Sequence, residues 1–424
     1  MFNLETLPNG LKLLVAPAIG TEAATVLVLV KVGSRYETRE LSGASHFIEH
    51  MMFKGTKKFP KARDLSRMLE QYGADYNAFT NRDRTGYYVK IAGSRLQTGI
   101  ELIHDMLANS VFAPGEMQKE RGVIIEEINM YEDNPRMHVG DLLEEATYGD
   151  TPLGWNIAGT KETMMAMTRP SLLDYREKNY HPARIAVVLA GAVSEDCIKF
   201  ARKLFGSIKA KGNANGKFML APAFLAHDKP SIRMQKKEAG QVQLAMAFPG
   251  VSITSDNLPA LRLLSAIFGE GMSSRLFEAV REKRGLAYSV GSGVSSLEDT
   301  GMFSIGAGLA KKEYQKAGET IVKEIEKMCA KGPTEKELAQ AKTRLEGGML
   351  LALEDSSDRA AWYAQELLFG QGKVRTPAER LAEFMKVTRA DVLKTARETF
   401  DMKKISIGAI GPFASEEAVI KPFI

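Results

Sequence analysis

Cysteine is almost missing from this chain: 424 residues contain two, Cys197 and Cys329, far apart and without a C-x-x-C partner. That excludes a disulfide framework and a thiolate metal site, and leaves both as small core residues. Long apolar runs are missing too. The longest candidate, Val26 to Val32, is broken by Lys31 and falls far short of the roughly 18 residues that span a bilayer, so no membrane span is expected. Charge of one sign is also lacking. Lys and Arg number 57 against 52 Asp and Glu, a net +5, and the signs alternate without basic blocks interleaved with aromatics, which argues against nucleic acid as a partner. Histidine is scarce, with six residues and none after His227. The N-terminal segment reads as a strand from Phe2 to Leu7, the turn Pro8-Asn9-Gly10 and a strand from Leu11 to Val15, which leaves no room for a signal sequence and makes a cytoplasmic location the expectation.

What is present is an ordinary globular composition, 44% hydrophobic and 26% charged, at a length that predicts two or three domains of about 100–200 residues each. Strands and helices alternate, and their order recurs. A β-rich stretch from Ala23 to Val32 precedes helices around Ala44 to Phe53 and Pro60 to Tyr72. Strands at Tyr76 to Phe79 and Thr85 to Ala92 follow, then helices at Leu96 to Leu107 and Gly115 to Met130. The later half repeats this with strands at Val242 to Phe248, Leu286 to Val290 and Met302 to Ala307, and helices at Pro259 to Phe268, Ser274 to Lys283, Glu313 to Met328 and Glu335 to Leu350. Gly73-Ala74-Asp75-Tyr76 aligns with Gly285-Leu286-Ala287-Tyr288, and Thr85-Gly86 with Thr300-Gly301, so an internal duplication is the simplest account. The polar, glycine-rich run from Lys209 to Lys217 marks the junction. The expected organisation is a first domain over 1–215, a linker over 216–230 and a homologous second domain over 231–424. Each is α+β, a mixed or antiparallel sheet with helices mainly on one face.

The chemistry concentrates in His46-Phe47-Ile48-Glu49-His50. Residues i and i+4 share a helix face, so His46 and His50 can offer imidazole nitrogens to one metal ion, with Glu49 close to that face. Phe47, Ile48, Met51 and Met52 fill the other sides, as in a buried helix with one metal-binding stripe. This is the inverted metalloprotease pattern, H-x-x-E-H. A third ligand is expected, because catalytic zinc sites commonly use three protein ligands. The segment from Glu120 to Glu127 supplies it: Glu120 and Glu127 are seven apart on a face shared with Val123 and Ile124, and carboxylates on a half-apolar face need a reason. Glu127 is assigned as ligand and Glu120 as the carboxylate that orients a histidine, while Glu126 points about 100° away toward solvent. His104, His138, His181 and His227 lack partners at ligand spacing and are read as structural. Gly269 to Ser274 lacks the G-K-[ST] ending of a phosphate loop and is read as a helix-entry turn capped by Ser273 or Ser274, so no nucleotide site is expected.

The run from Gly43 to Thr56 resembles the signature of the M16, or pitrilysin-like, metallopeptidases, the inverzincins. Glu120 and Glu127 match that family's second acidic motif, and Arg281 and Tyr288 match the arginine and tyrosine with which its second half holds substrate. The resemblance covers nearly the whole chain. It implies one zinc ion per chain held by His46, His50 and Glu127, with Glu49 as catalytic base, Glu120, Arg281 and Tyr288 in supporting catalytic roles, and a closed chamber that favours unfolded peptides. It also implies that substrate adds a strand beside Tyr76 to Thr80, at Asn77 and Ala78. A homodimer, or a heterodimer with a paralogous subunit, is implied to complete the chamber. A precursor-processing peptidase and a non-catalytic peptide-binding scaffold are the alternatives, although scaffold relatives typically lose the zinc motif that this chain keeps.

Overall fold

The computed structural model describes residues 2–211, 214, 218, 229–238 and 240–424. His227 and most of the expected 216–230 linker lie outside the described residues. The chain forms two compact units, each discontinuous in sequence. The first comprises Met1–Ile128, Asn156–Met219 and Gly348–Thr376; the second comprises Asn129–Trp155, Leu220–Gly347 and Pro377–Ile424.

Six strands make the sheet of the first unit: β1 (Asn3–Thr6), β2 (Lys12–Pro17), β3 (Ala23–Val30), β4 (Asp75–Thr80), β5 (Thr85–Ala92) and β6 (Ile185–Gly191). They lie in the order β1-β2-β6-β3-β5-β4, with β2 parallel to β6 and the other pairings antiparallel. The second unit's sheet contains β7 (Ser231–Lys236), β8 (Gln241–Pro249), β9 (Ala287–Ser296), β10 (Gly301–Ala310) and β11 (Ser406–Gly411), in the order β7-β11-β8-β10-β9. Here β7 is parallel to β11 and the rest are antiparallel. Apart from β1, the two sheets have the same topology, so the duplication read from Gly73/Gly285 and Thr85/Thr300 corresponds to the edge hairpins β4–β5 and β9–β10.

Each sheet buries one face against several helices of its own half. In the first unit α1 (Ala44–Met52), α3 (Leu96–Asn109) and α4 (Pro114–Asp133) contribute Phe47, Ile48, Ile100, Ile103 and Ile124 to a continuous core with Val26, Val28 and Val187; α2 (Ala62–Glu70) adds Leu65 and Leu69. Burying side chains of this size stabilises the fold by about 1.5–3 kcal/mol each. The opposite face of each sheet takes one helix from the other half of the sequence. Helix Ser356–Phe369 sets Ala360, Tyr363, Ala364 and Leu367 on Leu14, Leu27, Leu29 and Val188 of the first sheet. Helix α5 (Pro135–Tyr148) sets Val139 and Leu143 on Ala245, Ala247 and Ile410 of the second. Gly408 permits that approach: a Cβ there would meet the Leu143 nitrogen and the Val139 oxygen at 2.7 Å. A cut into contiguous halves therefore assigns both helices to the wrong sheet. Strands β6 and β11 are short apolar runs that carry no alternation, whereas β7, from Ser231 to Lys236, alternates over too few residues to stand out; none of the three is among the expected strands.

The expected helix from Ser274 to Lys283 forms as a short turn leading into a π-helical segment, Phe277–Glu282. Ser274 does not cap it; its hydroxyl donates to the Gly271 carbonyl at 2.7 Å. Cys197 is buried and Cys329 half-buried, and neither is bonded to the other. No helix among the described residues is long and apolar enough to cross a membrane.

Candidate metal centre

Helix α1 is mounted at its first turn. Gly43 has φ of 94°, and a Cβ there would strike the Ala158 carbonyl oxygen at 2.5 Å, so glycine alone fits. Helix starts leave backbone N–H groups without partners. Here the Glu37 carboxylate accepts from Gly43 N and Ser45 N, both at 2.7 Å. Glu37 is only 5% exposed, and burial pushes its carboxyl up to about 8 in spite of these hydrogen bonds. The Ser45 and Tyr175 hydroxyls, 3.0 Å apart, tie the same turn to a neighbouring helix. With Phe47, Ile48, Met51 and Met52 fully buried, His46, Glu49 and His50 remain on the half-open face.

Helix α4 brings the carboxylates. Glu127 Oε2 lies 3.8 Å from His46 Nε2 and 3.5 Å from His50 Nε2, and the two imidazole nitrogens are 3.2 Å apart. Donors about 2.0–2.1 Å from a tetrahedral ion stand about 3.3–3.4 Å from one another; two of these separations lie close to that and the His46–Glu127 one, 3.8 Å, is a few tenths longer, so a small side-chain shift brings all three onto one zinc ion. They are the His/Cys/Asp/Glu group that could hold a metal among the described residues. Their protonation suits ligation. His50 Nδ1 faces Glu120 Oε1 at 2.9 Å, which fixes the proton on Nδ1 and leaves the Nε2 lone pair directed at the metal position. Burial, aided by the nearby His50, lowers His46 to about 3, so its ring is neutral.

Glu120 is buried and receives a second partner, Lys54 Nζ, at 2.7 Å. Burial alone would raise its carboxyl, but the bonds from His50 and Lys54 outweigh that and hold it below the usual range. Glu49 projects beside the histidines, where burial raises its carboxyl and the Thr80 hydroxyl, donating to Oε2 at 2.6 Å, opposes the rise. Thr80 ends β4, an edge strand of the first sheet. On the same strand Asn77 is exposed, with its Oδ1 accepting from Ala78 N at 2.9 Å, and Ala78 is half-buried.

The sequence reading thus places His46, His50, Glu127, Glu120 and Glu49 together. Two of its details change. Val123 is not on the buried side of α4 with Ile124 but is 51% exposed, because the helix turns Ile124 and Ile128 inward. The sequence offers no sign that Thr80, expected only as part of the substrate edge, or Lys54 would reach a glutamate, since each meets its partner through the packing of separate elements; Glu37 meets Gly43 and Ser45 six and eight positions on, a spacing that matches no helix-capping pattern. In the second unit, Arg281 lies on the π-helical segment with its guanidinium 5.7 Å from the Tyr288 ring centre, and Tyr288 is 71% exposed on edge strand β9. Of the other histidines, His104 packs edge-on to Phe205, His138 faces Asp141 at 3.3 Å and His181 Nδ1 accepts from Ala183 N.

Fold and site together define a duplicated α+β protein in which both histidines of an H-x-x-E-H helix and a glutamate of a second helix stand where they could hold one metal ion. The chain belongs to peptidase family M16: residues 14–161 match the family model described as Insulinase (Peptidase family M16), and residues 166–345 match the one described as Peptidase M16 inactive domain. It is 37% identical to the uncharacterized zinc protease YmxG of Bacillus subtilis over 94% of this chain and 96% of that one. It is 34% identical to an uncharacterized zinc protease of Streptomyces coelicolor over 97% of this chain and 90% of that one. A protease from Helicobacter pylori of known structure superposes with a TM-score of 0.89 at 25% identity, covering 97% of this chain and 99% of that one.

Proposed function

We propose that this protein is a zinc-dependent endopeptidase that hydrolyses unfolded peptides. The carrying observation is the convergence of His46, His50 and Glu127 at single-ion spacing beside a carboxylate, Glu49, that is not needed as a ligand. Zinc held by those three residues supplies Lewis acidity for the scissile carbonyl and for water. Glu49 accepts the proton of the attacking water and passes it to the leaving amine, while Thr80 keeps its carboxylate aimed. Glu120 holds His50 in the ligating tautomer, and Lys54 keeps Glu120 ionised.

Substrate pairs as an added strand along β4, so main-chain bonds at Asn77 and Ala78 give broad sequence tolerance. Arg281 and Tyr288 hold the substrate backbone and the developing oxyanion. A homodimer, or a heterodimer with a paralogous subunit, encloses the peptide. Residues 228–424 contain no histidine, so the second half offers no equivalent pair of imidazole ligands and its role in this reading is to hold substrate.

The test is turnover of a quenched fluorescent peptide with zinc content measured in parallel. Cleavage should stop on chelation and return with zinc, and Glu49→Gln should retain zinc while losing cleavage. A Glu49→Gln protein that cleaves at the unmodified rate would remove Glu49 as the base; chelator-insensitive cleavage would remove the metal mechanism.

A further inference from the structure

A second site lies in the first unit, built from residues that the metal centre does not use. A cavity of about 660 Å3 opens between the end of α3, helix Arg169–Asn179 and the segment after helix Glu195–Gly206. That volume is within the roughly 300–1,000 Å3 of ordinary small-molecule sites. Its charged lining is one-sided. Arg176, Lys57, Lys209 and Lys211 contribute four cations, and Glu177, the one carboxylate in the lining, already pairs with Lys211 at 3.4 Å. Of the carboxylates just outside, Glu101 pairs with Lys58, while Asp105 is buried and, among the described residues, accepts only from the neutral Asn109 amide, leaving the cations of the lining in excess over it. Burial lowers the pKa of His104, also in the lining, against the opposing pull of Asp105 and Glu101.

Arg176 is the informative residue. It is half-buried, its Nη2 donates to the Leu107 carbonyl, and its guanidinium stands 5.4 Å from the Phe112 ring centre. No carboxylate among the described residues pairs with it. Withdrawing a cation from water is costly; burial lowers its pKa below the ordinary arginine value, and the neighbouring Tyr180, Tyr87 and Glu177 only partly oppose this. The planar fork of an arginine matches oxyanions in two-pronged geometry, and mobile lysines at the rim add charge without fixing shape. Leu107, Ala108, Leu173 and Ile208 form the apolar part of the wall; Asn109 and Ser207 are neutral polar residues whose side chains already donate to Asp105 and to the Leu204 carbonyl. Tyr180 offers its ring, since its hydroxyl is already 3.0 Å from that of Tyr87.

We propose that this cavity binds a small organic molecule carrying two or more oxyanion groups, with Arg176 gripping one group, Lys57 and Lys209 meeting another, and the carbon skeleton lying on Leu107, Leu173 and Ile208. Phosphate esters and polycarboxylates share that chemistry. Calorimetric titration of the zinc-loaded full chain at low salt with fructose 1,6-bisphosphate and, separately, tricarballylate distinguishes them. Saturable binding of either supports the site if Arg176→Met weakens it about tenfold or more, the range expected for a lost charge-assisted bond. The exposed pair Lys57→Ala/Lys209→Ala should weaken it several-fold and reduce its salt dependence. Absence of saturation by both ligands up to about 10 mM overturns the proposal. So does binding that survives Arg176→Met unchanged, or binding lost in His46→Ala, which places the anion on the metal. If Arg176→Met does not fold, unchanged affinity in the lysine pair decides against the site.

Discussion

The Thr80 hydroxyl donates to Glu49 Oε2 at 2.6 Å, joining the last residue of β4 to a side chain of the metal helix 31 positions earlier. One bond therefore couples the strand along which substrate is proposed to pair to the proposed base. Replacing Thr80 by Val keeps the shape and removes the donor. The expected result is a fall in kcat of about 10- to 100-fold with zinc content unchanged, and recovery in Thr80→Ser. Equal kcat in the Val and Thr proteins would show that Glu49 needs no such partner.

Glu127 is the ligand proposed from α4. Glu127→Gln should lower zinc retention after dialysis against a chelator without changing the circular dichroism of the apoprotein. Unchanged zinc stoichiometry would assign the third ligand elsewhere.

The bonds from His50 and Lys54 to Glu120 predict a graded effect. Glu120→Gln keeps an acceptor for His50 but no charge for Lys54, and should weaken zinc affinity by about 10- to 100-fold, the range for partners that orient a ligating histidine. Competition with a chromogenic chelator measures this. Affinity within twofold of the unmodified protein would mean that the tautomer of His50 is set without Glu120.

Glu37 gives a pH signature. Its carboxyl lies at about 8 in the folded protein against an ordinary 4.5, so between those values the native state holds a proton that the unfolded chain has released. Stability contributed by this group is full below pH 4.5 and is lost as pH rises through 8, with a slope of at most about 1.4 kcal/mol per pH unit. Glu37→Gln has nothing to titrate. Urea midpoints of the apoproteins should show the unmodified chain losing ground to the variant from pH 5 to pH 8, and a constant difference would contradict the shift.

The contact between Gly408 and α5 can be tested on stability alone. Gly408→Ala forces a Cβ to within 2.7 Å of the α5 backbone and should destabilise by about 1–3 kcal/mol, as overpacking does. Gly306→Ala, on strand β10 with no atom within 4 Å of the added carbon, is the control and should leave the unfolding midpoint nearly unchanged.

Helical periodicity, which acts over four residues, makes the H-x-x-E-H stripe legible without any fold: once Phe47, Ile48, Met51 and Met52 face the core, His46, Glu49 and His50 must share the remaining side. The seven-residue spacing of Glu120 and Glu127 fixed their common face by the same geometry, and the repeated glycines before β4 and β9 revealed the duplication. Tertiary structure alone decided which distant groups meet these. Thr80 reaches Glu49, Glu37 caps the metal helix and Lys54 completes Glu120, each through contacts that depend on how strands, loops and helices pack. It also decided that α5 and helix Ser356–Phe369 cover sheets built by the other half of the chain. An apolar helix face records only that it must be buried, since the hydrophobic effect is non-directional, and only close packing selects the surface that buries it.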